Sequence, residues 1–80
     1  MTIEEVKKII LVEQLINYNW FGDHDIYPNE VCIRKVNDDW SVFTSDERCS
    51  QISDVLYQNE SEALQDFLQR LRADKVLRSL

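Results

Sequence analysis

Histidine is the side chain best suited to moving protons near neutral pH, and this chain has one, His24, set between Asp23 and Asp25. A histidine–carboxylate pair is the kernel of a proton relay or of a metal site. Either use needs further groups brought to the same point. Adjacent loop residues rarely turn onto a common centre, and no second histidine or cysteine stands at ligand spacing. His24 therefore reads as a solvated loop residue. The two cysteines, Cys32 and Cys49, form no Cys-x-x-Cys pair and have no recognisable base partner. Cys32 reads as a small buried hydrophobe and Cys49 as an exposed turn residue. The single glycine excludes a glycine-rich phosphate loop. No catalytic residue, metal or cofactor is expected, and the chain reads as a binder.

Binding has better candidates. Trp20-Phe21 and Trp40 stand at element boundaries, where a tryptophan serves either as core packing or as an interface anchor. Asp38-Asp39 and Asp46-Glu47 flank one strand, as ordinary turn residues or as an acidic patch suited to a basic target. Arg48 either locks its turn by pairing with Asp46 or another carboxylate, or reaches a partner. The partner-binding set drawn from the sequence is thus Asp38, Asp39, Trp40, Asp46, Glu47 and Arg48.

Length and charge narrow the classes. A chain of 80 residues makes one small domain, spanning residues 1–80, with a modest core. A net charge of −6 repels phosphate backbones and anionic lipid, so nucleic acid and membrane are disfavoured as partners. Residues 1–29 carry −3, residues 30–60 carry −4, and residues 61–80 carry +1. Met1 leads straight into a charged amphipathic stretch without a long apolar run. A cytoplasmic location with reduced thiols is the expectation.

These residues need elements to position them. Thr2 with Glu5 forms a capping box, and without a breaker before Gly22 the first helix is expected to reach about Asn19. Its apolar residues fall on two sides. Ile3, Val6, Ile9 and Ile10 share one, while Leu11, Val12, Leu15 and Tyr18 lie nearly opposite, as in a helix held between the sheet and the second helix. Residues 20–29 read as a loop. Residues 30–36 and 40–45 alternate as strands joined by the Asn37-Asp38-Asp39 turn, an antiparallel hairpin. Residues 51–57 read as a third strand. Asn59 caps the last helix, where Ala63, Leu64, Phe67, Leu68 and Leu71 make one apolar arc and Asp66 and Arg70 are spaced to pair on the other side. Val76, Leu77 and Leu80 leave that arc, which predicts a kink or stop near Asp74 or a different surface for the last turns. The expected fold is α+β, ordered α-β-β-β-α, a three-stranded antiparallel meander with both helices on one face.

One stretch is more specific. Trp40-Ser41-Val42-Phe43-Thr44-Ser45-Asp46-Glu47-Arg48 is a tryptophan-led strand ending in an Asp-Glu-Arg turn. Tyr57 follows, then Ser61-Glu62-Ala63-Leu64-Gln65-Asp66-Phe67-Leu68. This run resembles the immunity protein 59 family of bacterial polymorphic toxin systems, over roughly residues 30–72. The sequence departs from the family where a small residue, commonly glycine, would follow the arginine and Cys49 stands instead. The resemblance implies a non-enzymatic cytoplasmic protein that binds and neutralises a cognate protein toxin, and the acidity suits a nuclease with a basic cleft. The alternative is a homo-oligomerising structural or regulatory module. There, the second face of the first helix and the tail around Val76–Leu80 would bury against another copy as a homodimer. A sensor of metal or small molecules would rest on His24 and its two aspartates alone.

Overall fold

The computed structural model describes residues 1–80 as α1 (Ile3–Glu13), β1 (Tyr18–Trp20), β2 (Val31–Val36), β3 (Asp39–Ser45), β4 (Gln51–Tyr57) and α2 (Glu60–Arg78). The class is α+β, with two helices and a four-stranded mixed sheet in the order β1-β2-β3-β4. The expected three-stranded meander is therefore corrected. β2, β3 and β4 are antiparallel, and β1 adds a parallel strand beside β2 with Tyr18 opposite Val31 and Trp20 opposite Ile33.

The first helix starts as expected: the Thr2 hydroxyl accepts the Glu5 N–H at 3.2 Å and donates to the Glu5 carboxylate. It stops six residues earlier than expected. Gln14 turns left-handed (φ 56°), and the Leu15 N–H reaches back to the Ile10 carbonyl at 3.0 Å. Gln14 performs there the helix-ending turn that glycine usually performs, and the buried Leu15 seals it. Asn17, also left-handed (φ 62°), then directs the chain into β1.

The core lies between the sheet and the two helices. Val31, Ile33 and Val42 face Ala63, Leu64, Phe67, Leu68 and Leu71 of α2, with Val6, Ile10 and Leu15 completing the cluster. The α2 arc is wholly buried, as its spacing required, and each large side chain in it contributes about 1.5–3 kcal/mol. α1 is not held between two neighbours: Leu11 and Val12 are largely exposed and Ile16 half so. α2 does not kink at Asp74. It runs unbroken to Arg78, leaving Val76, Leu77 and Leu80 exposed. Asn17 and Arg78 both bond Asp74, and Arg72 pairs with Glu13, tying this overhang to the end of α1. No helix is long and apolar enough to cross a membrane.

The other face of the sheet carries Cys32, Ser41, Phe43 and Ser45, all buried, and Asn19 of β1. No helix lies there. The connection at residues 21–30 is anchored across it instead: Asn19 Nδ2 donates to the His24 carbonyl, and Ser45 Oγ donates to the Tyr27 carbonyl.

Candidate functional site

His24 is not a solvated loop residue. Its Nδ1 lies 2.7 Å from Asp23 and its Nε2 lies 2.7 Å from Glu30, and the side chain is only 30% exposed. Glu30 is the group that the sequence reading missed. It is buried at the head of β2, where it also accepts the Tyr27 N–H at 2.9 Å. Asp25, expected as the second flanking carboxylate, makes no contact with the ring. Two carboxylates around one imidazole favour the imidazolium, so the His24 pKa is raised, first by the hydrogen bond to Glu30. Both ring nitrogens are occupied, which leaves no lone pair facing a substrate or an ion. The nearest hydroxyl of the cluster, Ser45 Oγ, is spent on the Glu30 N–H and the Tyr27 carbonyl. The arrangement is suited to pinning the 21–30 connection onto the sheet.

The sequence-derived binding residues divide into two groups. The turn between β2 and β3 is Asn37-Asp38, one residue shorter than expected, with Asn37 at a positive φ of 57°; Asp39 opens β3 opposite Val36. Asp46, Glu47 and Arg48 form the turn between β3 and β4. The seven residues of β3 hold the two groups about 20 Å apart, so they do not make one compact patch. Trp40 is half-buried against the core, with the Lys35 ammonium 4.2 Å from its ring centre. Trp20 likewise packs on the core, 5.4 Å from Phe67, and one edge of it lines an open hollow with Lys7, Ile10, Leu11, Tyr18 and Asp23.

Arg48 does not lock its turn. The Asp46 carboxylate does, accepting the N–H groups of Arg48 at 2.8 Å and Ser50 at 2.9 Å. The Arg48 guanidinium is left exposed without a carboxylate partner. Cys49 sits at φ 64°, so the backbone shape that favours glycine is kept here by a cysteine.

β4 is the open edge of the sheet. Six of its seven residues are exposed and Tyr57 is half-buried; Ile52, Val55 and Leu56 are 45%, 40% and 60% exposed. A bulge sets Ser53 (φ 54°) and Asp54 opposite Phe43. Arg70 closes it from α2, donating to the Ser53 carbonyl at 2.8 Å and the Thr44 hydroxyl at 3.2 Å while gripping Asp66 with two nitrogens. The expected Asp66–Arg70 pair thus forms, but it points at the sheet edge rather than at solvent. Tyr57 donates to the same carboxylate at 2.7 Å.

Charge is segregated across the fold. Residues 37–69, which contain β3, β4 and the first half of α2, hold eight acidic side chains and one basic; the rest of the chain sums to +1. The acidic half is the half with the open edge. No protein-family model, curated protein or solved structure matches the chain.

Proposed function

We propose that this protein acts by binding another protein, as an immunity protein that neutralises a cognate bacterial toxin. The observation that carries the reading is the acidic, partly apolar β3–β4 edge. Asp38 and Asp39 stand at one end, Asp46 and Glu47 at the other, and exposed Ile52, Val55 and Leu56 lie between. An edge with apolar side chains on both faces, rimmed by one sign of charge, suits a protein target with a basic surface, and the charge speeds encounter. A nuclease whose cleft is built for phosphate has that surface. The run from Trp40 to Arg48, with its resemblance to the immunity protein 59 family, supports the same assignment. The protein contributes shape and charge and needs no reaction of its own.

Co-expression with a candidate toxin domain from a neighbouring gene tests the reading. Growth should be restored, and the two proteins should bind more weakly as salt rises from 50 to 500 mM. Failure to restore growth, or affinity indifferent to salt, would count against it.

A second reading is favoured by the exposure of Leu11, Val12, Ile16, Val76 and Leu77 on the two helices. These residues would join two copies of the chain. Light scattering at micromolar concentration separates the readings, because a monomer removes the support for a homodimer.

A further inference from the structure

We infer that the outer edge of β4 takes up an extended, basic segment of the partner as a fifth strand; the inference rests on the reading of this protein as a protein binder. Register dictates which backbone groups are free. The Ser45 N–H bonds the Glu30 carbonyl at 2.8 Å, so the alternate residues Asp39, Ser41, Phe43 and Ser45 turn their backbone groups toward β2. Trp40 and Val42 then face β4 and take Tyr57 and Val55 as their bonded partners. Asp54 and Leu56 are left with N–H and C=O groups directed outward, four unpaired backbone groups on one straight segment. The bulge adjoins that segment at Asp54, while its left-handed φ falls on Ser53, whose carbonyl Arg70 holds.

Natural edge strands are blunted by charge, proline, a bulge or a covering element. β4 has no lysine, arginine or proline, and its bulge and the Arg70 contact lie at Ser53–Asp54, which leaves Val55 and Leu56 beyond them uncovered at the edge. The opposite edge, β1, is three residues long and too short to serve. An added strand also gains the side chains: Leu56 would meet it on the open face, and Val55 on the helix face.

Charge selects the occupant. A second copy pairing edge to edge would bring together two halves that each carry −7, with Asp54 of each copy in the seam. An acidic segment is repelled in the same way. A strand bearing lysine or arginine next to apolar residues meets Asp54, and its ends reach Asp46 and Glu47 on one side and Glu62 on the other.

Two arms test this on the full chain. In the first, blocked decapeptides of alternating Lys-Val and alternating Glu-Val are added at low salt, and amide exchange is followed by NMR. The Lys-Val peptide should slow exchange of the Asp54 and Leu56 N–H groups at least about tenfold, and the Glu-Val peptide should not. Unchanged exchange at both amides, or protection centred elsewhere, overturns the inference. In the second arm, the toxin domain is titrated with Leu56→Pro, which removes an outward N–H that the β3–β4 ladder does not use. Leu56→Lys, which keeps that N–H and adds a repelling charge, serves if the proline variant does not fold. Affinity should fall about tenfold or more for either variant. Full affinity in a folded variant overturns the strand addition while leaving the immunity reading intact. Absence of binding by the unaltered protein overturns the immunity reading, and the peptide arm still decides the edge.

Discussion

Replacing Arg70 with alanine would remove four hydrogen bonds at once: two to Asp66 at 2.9 and 3.2 Å, one to Thr44 at 3.2 Å and one to the Ser53 carbonyl at 2.8 Å. On an open helix surface an i,i+4 pair contributes only about 0.3–0.5 kcal/mol. Here the two side chains are 18% and 17% exposed, so the pair is worth nearer ~1 kcal/mol, and a charged donor on a carbonyl adds about 1.5 kcal/mol. Ser53 is held in a left-handed conformation that a non-glycine residue adopts at a cost of about 1 kcal/mol, and Arg70 is the group that bonds its carbonyl. The expected loss is therefore roughly 2–3 kcal/mol. A domain of this size has about 4–12 kcal/mol in total, so Tm should drop by roughly 10–15 °C. Urea unfolding measures the loss, and amide exchange should place it at β4 before the rest of the sheet. The Tyr57 phenol gives an independent reading. Its pKa is raised, chiefly by the hydrogen bond to Asp66, and Arg70 opposes that rise. Arg70→Ala should push it further up in an ultraviolet titration. A loss below about 0.5 kcal/mol, with no change at Tyr57, would refute the role given to Arg70.

Three further outcomes are expected. The folded pKa of His24 lies above its unfolded value near 6.5 because of Glu30 and Asp23. Its contribution is complete below pH 6.5 and is lost as pH rises through the folded value. Tm should accordingly decline from pH 6 to 8 in the natural protein and stay level in His24→Gln; parallel profiles would contradict the pairing. Arg48→Ala should leave stability within about 0.5 kcal/mol, whereas Asp46→Ala should cost roughly 1–2 kcal/mol through the two amides it strands, both read by urea denaturation. A thiol reagent at pH 8 should modify Cys49 quickly. Cys32, buried and pushed up to about 11, should react only in denaturant, and equal rates for both would place Cys32 wrongly.

Both helix starts were legible because capping is local chemistry: Thr2 with Glu5 and Asn59 with Glu62 pair within one turn. The arc from Ala63 to Leu71 and the hairpin around Asn37 were legible for the same reason. The end of α1 was hidden because Gln14 carries a backbone shape that sequence patterns assign to glycine. β1 was hidden because three residues show no alternation and its partner follows only after a ten-residue connection. Asn17 stands just before β1 and Asn29 near the end of that connection, at φ 62° and 60°. Asparagine's tolerance of this region was the one signal available. At the candidate site, the expected turn chemistry was present but its roles were exchanged: Asp46 holds the turn and Arg48 is free. The His24–Glu30 contact was not legible, since Glu30 looked like the first residue of an alternating strand.

The parallel placement of β1 also sets an order of assembly. β2, β3 and β4 are joined by tight turns, so their pairing zips outward from close pairs, Val36 with Asp39 and Ser45 with Gln51. Parallel β1 has no such start: each of its pairs with β2 spans the whole 21–30 connection, and it gains nothing until β2 exists. The two tryptophans fall on opposite sides of this division, Trp40 in the contiguous unit and Trp20 on the late strand. Stopped-flow fluorescence of Trp20→Phe and Trp40→Phe should therefore give a fast and a slow refolding trace, and identical traces would mean that the sheet forms in one step. The edge occupied last in folding is the β1 edge, which leaves β4 exposed from the moment the meander forms.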